Sequence, residues 1–308
     1  MSVFPVFSRP VPQRGYQWWY VDASSSDGRE HLVIIAFVGS VFSPYYARAC
    51  RRGEADPMDY CAINAALYRS AGKRWVLTEK PRGLISRGDD HFQLQDSSLR
   101  WNGNQLDIEI RERGVPIPQQ VQGRITVNPR FTTDPDQAQI HLDPHERHQW
   151  WPFAPSCDVT VRFDHPDWRW RGSGYFDTNQ GAEPLHEGFE VWNWSRSHQA
   201  EETLLTYNAT PRSSEASYLA LAIDPQGNIG RRDIAPAQRL KRGLYGMDGE
   251  VHLAQPVTSV KMLEDTPFYT RSMITAGDQQ VMHESLSLER FRQRWVQFLL
   301  PFKTRRQR

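Results

Sequence analysis

The chain lacks several features that mark common protein classes. Cysteine is scarce: 308 residues hold Cys50, Cys61 and Cys157, none in a CxxC pair, so no disulfide framework is encoded. No surplus of charge exists, with 37 basic against 36 acidic side chains and a net charge of +1. Binding phosphate backbones needs a basic excess, so this balance predicts no nucleic-acid partner. Long apolar runs are missing as well. The longest, Leu32 to Val38, falls far short of the ~20 residues that span a bilayer. With 39% hydrophobic residues and a mean hydropathy of −0.66, a polytopic membrane protein is excluded. The opening MSVFPVFSRPVPQRG has no basic n-region and no apolar h-region, which predicts a cytoplasmic, reducing location. Neither GxGxxG nor GxxxxGK[ST] occurs, and the serines of Ala23-Ser-Ser-Ser-Asp27 sit in no GxSxG turn.

Tryptophan, by contrast, is abundant, with 11 residues, eight of them in the close pairs 18/19, 150/151, 168/170 and 192/194. Clustered indoles either build a core or line a pocket for an apolar or cationic guest. Apolar and polar residues mostly alternate in Tyr60–Tyr68, Leu106–Ile110, Val121–Val127 and Cys157–Phe163. A period of two marks half-buried antiparallel strands. Turn signals recur between the runs at Ser26-Asp-Gly28, Trp101-Asn-Gly103 and Asp224-Pro-Gln-Gly227. Regular strand–helix alternation is absent. The expected fold is all-β.

A polar, turn-rich stretch around Pro129–His145 marks a boundary, giving domains 1–135 and 136–308. Each half opens with a double tryptophan, Gln17-Trp18-Trp19 and Gln149-Trp150-Trp151, as two related antiparallel barrels in tandem would. A closed barrel removes exposed edges and encloses room for one small ligand. At the C-terminus, Leu288, Phe291, Trp295, Phe298, Leu299 and Phe302 recur at helical spacing, and residues 289–308 carry seven basic side chains against one acidic. This predicts a basic amphipathic helix, either docked on the barrels or lying in an anionic membrane interface.

Two short motifs can carry chemistry. On extended strands His148 shares a side with Trp150, and Tyr175 with Asp177, because side chains two apart point the same way. If both faces line one barrel interior, the cavity holds an acid, a base and aromatic walls, to which Trp192 and Trp194 can add. A carboxylic acid among indole and phenol rings is desolvated, which raises its pKa and leaves it able to donate a proton. Each component also has an ordinary reading: His148 as a surface or hydrogen-bonded residue, Asp177 as a turn cap before Thr178-Asn-Gln-Gly181, paired tryptophans as core. His141, His145 and His148 form no metal signature, since Pro144 breaks a helical pattern and no carboxylate–His motif of a known metal site accompanies them.

At these residues the chain resembles the carotenoid 1,2-hydratase family, also called hydroxyneurosporene synthases. The resemblance runs from about residue 15 to about 200 through several blocks. These are Tyr16-Gln-Trp-Trp-Tyr-Val-Asp-Ala23, Ile35-Ala-Phe-Val-Gly-Ser-Val-Phe-Ser-Pro-Tyr-Tyr-Ala-Arg48, Cys61-Ala-Ile-Asn-Ala-Ala-Leu-Tyr68 and Gly72-Lys-Arg-Trp75. His148-Gln-Trp-Trp-Pro-Phe-Ala-Pro155, Gly174-Tyr-Phe-Asp-Thr-Asn179 and Trp192-Asn-Trp-Ser-Arg196 complete the set. Asn193 stands where the family pattern has Asp, which bears on any acid role at that position.

The resemblance implies two lipocalin-like barrels and a hydro-lyase that adds water across the terminal C1=C2 bond of an acyclic carotene of the neurosporene or lycopene type. No cofactor and no metal is implied. Its catalytic and pocket residues fall on His148, Trp150, Tyr175 and Asp177. An insoluble substrate of this kind implies a protein peripheral to the inner or photosynthetic membrane. A carotenoid or lipid carrier without catalysis, and an isomerase or cyclase of another polyene, fit the same residues; fold alone does not choose among them.

Overall fold

The computed structural model describes residues 4–53 and 55–307; Arg308, counted above in the basic tail, lies outside them. The chain divides into two compact units. One comprises the residues through His141, Arg147–Pro184 and those from Leu299 onward; the other comprises Leu142–Glu146 and Leu185–Phe298.

The first unit contains β1 (Tyr16–Ser25), β2 (His31–Val38), β3 (Cys61–Arg69), β4 (Gly72–Lys80), β5 (Ile85–Arg87), β6 (His91–Leu94), β7 (Ser97–Trp101) and β8 (Leu106–Arg113). It continues with β9 (Gln120–Pro129), β10 (Ile140–His141), β11 (His148–His165) and β12 (Asp167–Gly181). The second holds β13 (Phe189–His198), β14 (Thr203–Pro211), β15 (Ser217–Ile223), β16 (Ile229–Arg231), β17 (Ala237–Arg239), β18 (Glu250–His252), β19 (Val257–Asp265), β20 (Tyr269–Ala276) and β21 (Gln279–Ser287). The last strand, β22 (Thr304–Arg306), returns to the first unit.

The chain is therefore mostly β, as its periodicity predicts. At the three expected turns Gly28, Gly103 and Gly227 have φ of 67°, 104° and 84°, a region that only glycine enters without strain. One helix, Pro44–Arg52, escaped the strand pattern. Its signals are nonetheless local: Ser43 caps the amides of Tyr45 and Tyr46, Pro44 opens it, and Gly53 closes it in the left-handed region.

The first sheet runs β22-β4-β3-β2-β1-β12-β11-β9-β8-β7-β6-β5, with β10 beside β11. It curls into a half-barrel that has two ends. A division at residue 135 would place β11 and β12 in a second barrel. Here they complete the first sheet, because β12 pairs with β1 along its length and β11 pairs with β9. The second unit is a seven-stranded sheet, β16-β15-β14-β13-β21-β20-β19, plus the β17–β18 ribbon. Within it the imidazole of His283 lies 2.8 Å from Ser195 Oγ and 2.9 Å from Ser285 Oγ, and burial pushes its pKa down to about 3.

The inside of the curl is an aromatic core. Trp19 packs on Phe7 and Phe92, Phe4 stacks on Trp101 at 4.6 Å, and Phe153 meets Phe176 edge-on. At one end of this face Lys80 of β4 donates to Glu112 of β8 at 3.2 Å and to the Leu94 carbonyl at 3.3 Å. Ser97 donates to the same Glu112 oxygen. Both charged side chains are buried, so each depends on the other for compensation.

The C-terminal segment departs from the expected single helix. It forms two short helices, Leu288–Phe291 and Arg294–Leu299, then a 3₁₀ turn at Leu300–Phe302 and β22. Pro301 helps end the second helix, since it has no amide hydrogen to give the Gln297 carbonyl and the chain tightens there into the 3₁₀ turn. Leu288, Phe291 and Val296 are buried, whereas Trp295, Phe298, Leu299 and Phe302 are exposed. Among the described residues no helix is long and apolar enough to cross a membrane. β22 pairs parallel to β4, where Arg306 donates to the buried Glu79 at 2.7 Å and lies over the rings of Tyr45 and Tyr60.

Two stability measurements follow. Lys80→Met strands the buried Glu112 charge and is expected to cost about 3–5 kcal/mol in urea unfolding, with much of that loss recovered in the Lys80→Met/Glu112→Leu double variant. Burial first of all pushes Glu79 up to about 7, against the pull of Ser43 and Arg306. The folded chain then binds this proton more tightly than the unfolded chain, so the contribution is full below pH 4.5 and is lost as pH rises through 7. Unfolding free energy of the wild type relative to Glu79→Gln should fall by roughly 3 kcal/mol between pH 4.5 and 8.

Candidate active site

Strand alternation sorts each double tryptophan onto two sides of the first sheet. Trp19 and Trp151 face the core, where their indole nitrogens donate to the Pro5 carbonyl and to Thr133 Oγ1. Trp18 and Trp150 face the other way. In register along that second face, Tyr16 and His148 flank Gly181, Trp18 and Trp150 flank Asn179, Tyr20 lies opposite Asp177, and Asp22 lies opposite Tyr175. The expectation that these residues line a barrel interior is thus corrected: the aromatic core fills the inside of the curl, and they occupy the reverse face. They are nevertheless buried there, Asp177 to 5% exposure and His148, Trp150 and Tyr175 completely.

Three of the predicted residues converge. Asp177 Oδ2 accepts from Trp150 Nε1 at 2.9 Å and from Tyr175 Oη at 2.8 Å. Tyr20 meets the Tyr175 ring edge-on at 6.2 Å. Register shifts between Trp151 and Ala154, and again between Ala154 and Cys157, make β11 irregular just past Trp150. Such bulges commonly re-aim a side chain beside an active site. The turn-cap reading of Asp177 is excluded, because the residue lies within a continuous strand.

His148 sits farther along the same face. The stretch from Asp177 to Gly181 covers roughly 13 Å at about 3.3 Å per residue. The imidazole lies over Gly181, where an added Cβ would stand 2.7 Å from Nδ1. Tyr16 Oη is 3.0 Å from Nδ1, and Glu183 Oε1 is 3.2 Å from Nε2. Glu183 is also paired with Arg147 at 2.8 Å, so its carboxylate is held as an acceptor beside Nε2. Trp192 and Trp194 belong to the second unit, side by side on β13. Trp192 packs there against Phe189 and Tyr207, and Trp194 lies opposite Tyr207 in the ladder.

With this geometry in view, comparison with known proteins is decisive. The family model of the carotenoid hydratase CrtC matches residues 34–308. The chain belongs to the carotenoid hydratase family. An acyclic carotenoid 1,2-hydratase of Thiocapsa roseopersicina is 43% identical, over 97% of this chain and 75% of that protein. Its counterpart in Rubrivivax gelatinosus is 41% identical with the same coverage, and that of Rhodobacter capsulatus 36% identical over 84% of this chain and 92% of its own. Among solved structures, a protein described as an AttH from Nitrosomonas europaea has a TM-score of 0.62 at 13% identity, covering 93% of this chain and 98% of its own. Kievitone hydratase from Nectria haematococca has 0.51 at 11%, over 92% and 93%. These two likenesses concern the fold.

In this carotenoid hydratase the sequence motifs led to Trp150, Tyr175 and Asp177 but passed over Tyr16, Trp18, Tyr20, Asp22 and Glu183. The first four lie in the Tyr16–Ala23 block, and the matching Gln-Trp-Trp triplets were the available signal for them. Glu183 had none. Gly181→Ala tests the packing at His148, since its Cβ would also fall 2.4 Å from Tyr16 Cε1. Hydration should drop at least about tenfold in initial-rate assays, corresponding to roughly 1.4 kcal/mol, with an unchanged far-ultraviolet spectrum.

Proposed function

We propose that this chain adds water to the terminal C1=C2 bond of an acyclic carotenoid, giving a tertiary 1-hydroxy group, with Asp177 as the acid. The observation that carries the assignment is the pair of hydrogen bonds from Trp150 and Tyr175 to Asp177 Oδ2. Both donors hold Oδ2 as an acceptor. A proton on this carboxyl group is therefore carried by Oδ1.

Transfer of that proton to C2 leaves a tertiary cation at C1. The faces of nearby rings, Tyr175, Tyr20 and Trp150 among them, stabilise this charge more than the neutral alkene, at ~0.5–2 kcal/mol per ring. General acid catalysis of this type contributes about 10²–10⁴ in rate. Water then attacks C1, and the carboxylate keeps its hydrogen bonds until it is reprotonated. His148, held by Tyr16 and Glu183, secures the Gly181 end of the same face and positions the strands that carry Trp150 and Asp177.

The substrate belongs in a bilayer, and the C-terminal segment supplies a way to meet it. Exposed Trp295, Phe298, Leu299 and Phe302 are flanked by Arg290, Arg292 and Arg294 on one side and Lys303 on the other, a composition suited to an anionic interface. We read the two sheets as opened variants of the lipocalin-like architecture.

Expression in cells that make lycopene or neurosporene tests the reaction. The wild-type chain should yield products heavier by one water. Asp177→Asn, nearly isosteric but without an acidic proton, should fold and yield none. Undiminished product from that variant would remove the acid assignment.

A further inference from the structure

Hydration of an alkene needs a proton acceptor as well as a donor, and the two act on adjacent carbons. The acceptor must therefore lie within a few ångströms of the carbon next to the one that Asp177 protonates. His148 is poorly placed for this, with its ring over Gly181 and its two nitrogens directed at Tyr16 and Glu183. Two other buried carboxylates of the first unit, Glu79 and Glu112, are committed to Arg306 and Lys80.

Asp22 is different. It is completely buried, on the neighbouring strand β1, directly across from Tyr175 and on the same face as Asp177. Since Tyr20 is the residue opposite Asp177, Asp22 is one diagonal step away. Diagonal neighbours on an antiparallel pair are separated by about 7–8 Å, somewhat less between Cβ atoms. That spacing suits two carboxyl groups working through an intervening water: inverting glycosidases keep theirs roughly 6.5–9.5 Å apart for this reason. Tyr175, which donates to Asp177, occupies the register position between the two acids.

We propose that Asp22 is the base that removes the proton from the attacking water, forming an acid–base pair with Asp177; this rests on the hydration reading above. The Asp177 carboxyl O–H bond breaks and a C2–H bond forms, leaving Asp177 ionised and C1 cationic. A water lone pair forms the C1–O bond. The resulting oxonium gives one proton to the Asp22 carboxylate and becomes the alcohol. Passage of that proton from Asp22 to Asp177 restores the starting state, so the balance is one alkene and one water consumed for one alcohol.

Partitioning of the cation in D₂O tests the pair. Asp22→Asn should still let Asp177 protonate the alkene, and loss of a carbon-bound hydrogen from the cation returns the carotenoid with deuterium attached to carbon. Alcohol formation should fall about 10²–10⁴-fold while deuterium uptake into recovered substrate continues. Asp177→Asn should abolish both. Undiminished alcohol from Asp22→Asn overturns the role of Asp22 and leaves that of Asp177 intact. Loss of alcohol and deuterium together in folded Asp22→Asn also overturns it, by assigning Asp22 to the donor step. If Asp22→Asn does not fold, Asp22→Ser with added formate replaces it: restored alcohol formation is expected, and absence of rescue in the folded variant overturns the proposal. A wild-type chain that forms no alcohol at all refutes the hydration reading itself.

Discussion

A carboxyl group taken out of water has to be satisfied where it lies, because an uncompensated one costs several kcal/mol. Asp177 meets this requirement with an indole N–H and a phenol O–H, both brought to one oxygen. Much of the first unit is arranged around that contact. Trp150 arrives from β11 and Tyr175 from β12, and the strands must be held in one register for both to reach Oδ2. The ladder from β1 through β12 to β11 does so, and a one-residue slip would send each side chain to the opposite face.

The same alternation divides labour between the two sides of the sheet. The side inside the curl is filled by Phe4, Phe7, Trp19, Phe92, Trp101, Phe153 and Phe176 and supplies apolar burial. The reverse side mixes rings with Asp22, Asn179, Asp177 and His148, all buried. Polar groups in such surroundings act strongly on one another, since the local dielectric is low. One face thus supplies apolar packing, and the proposed chemistry belongs to the other. Gly181 is a point of close approach on this side: Tyr16 and His148 close over it, and no side chain fits beneath them.

The C-terminal segment shows how far a periodicity can mislead. Leu288, Phe291, Trp295 and Phe302 match a helical stripe, yet only the first two are buried, and Pro301 turns the chain into a strand that pairs with β4. The basic tail is partly anchored, because Arg306 reaches the buried Glu79. Exposed aromatic side chains are left in the preceding stretch, at Trp295, Phe298 and Phe302.

What sequence alone determined was local. Period-two patterning at 60–68, 106–110, 121–127 and 157–163 marked strands that form at 61–69, 106–113, 120–129 and 148–165, Asn-Gly and Asp-Gly steps located turns, and the Tyr-x-Asp spacing put Tyr175 and Asp177 on one side. The same two-residue spacing put Trp150 on one side with His148. Only tertiary structure decided which side of the sheet is the core, since alternation is symmetric between two faces until something packs on one of them. Likewise, strands β11 and β12 joined the first sheet through hydrogen bonds to β9 and β1, partners 28 or more residues away that no local pattern encodes. Glu183 beside His148, and Asp22 diagonal to Asp177, are consequences of that pairing.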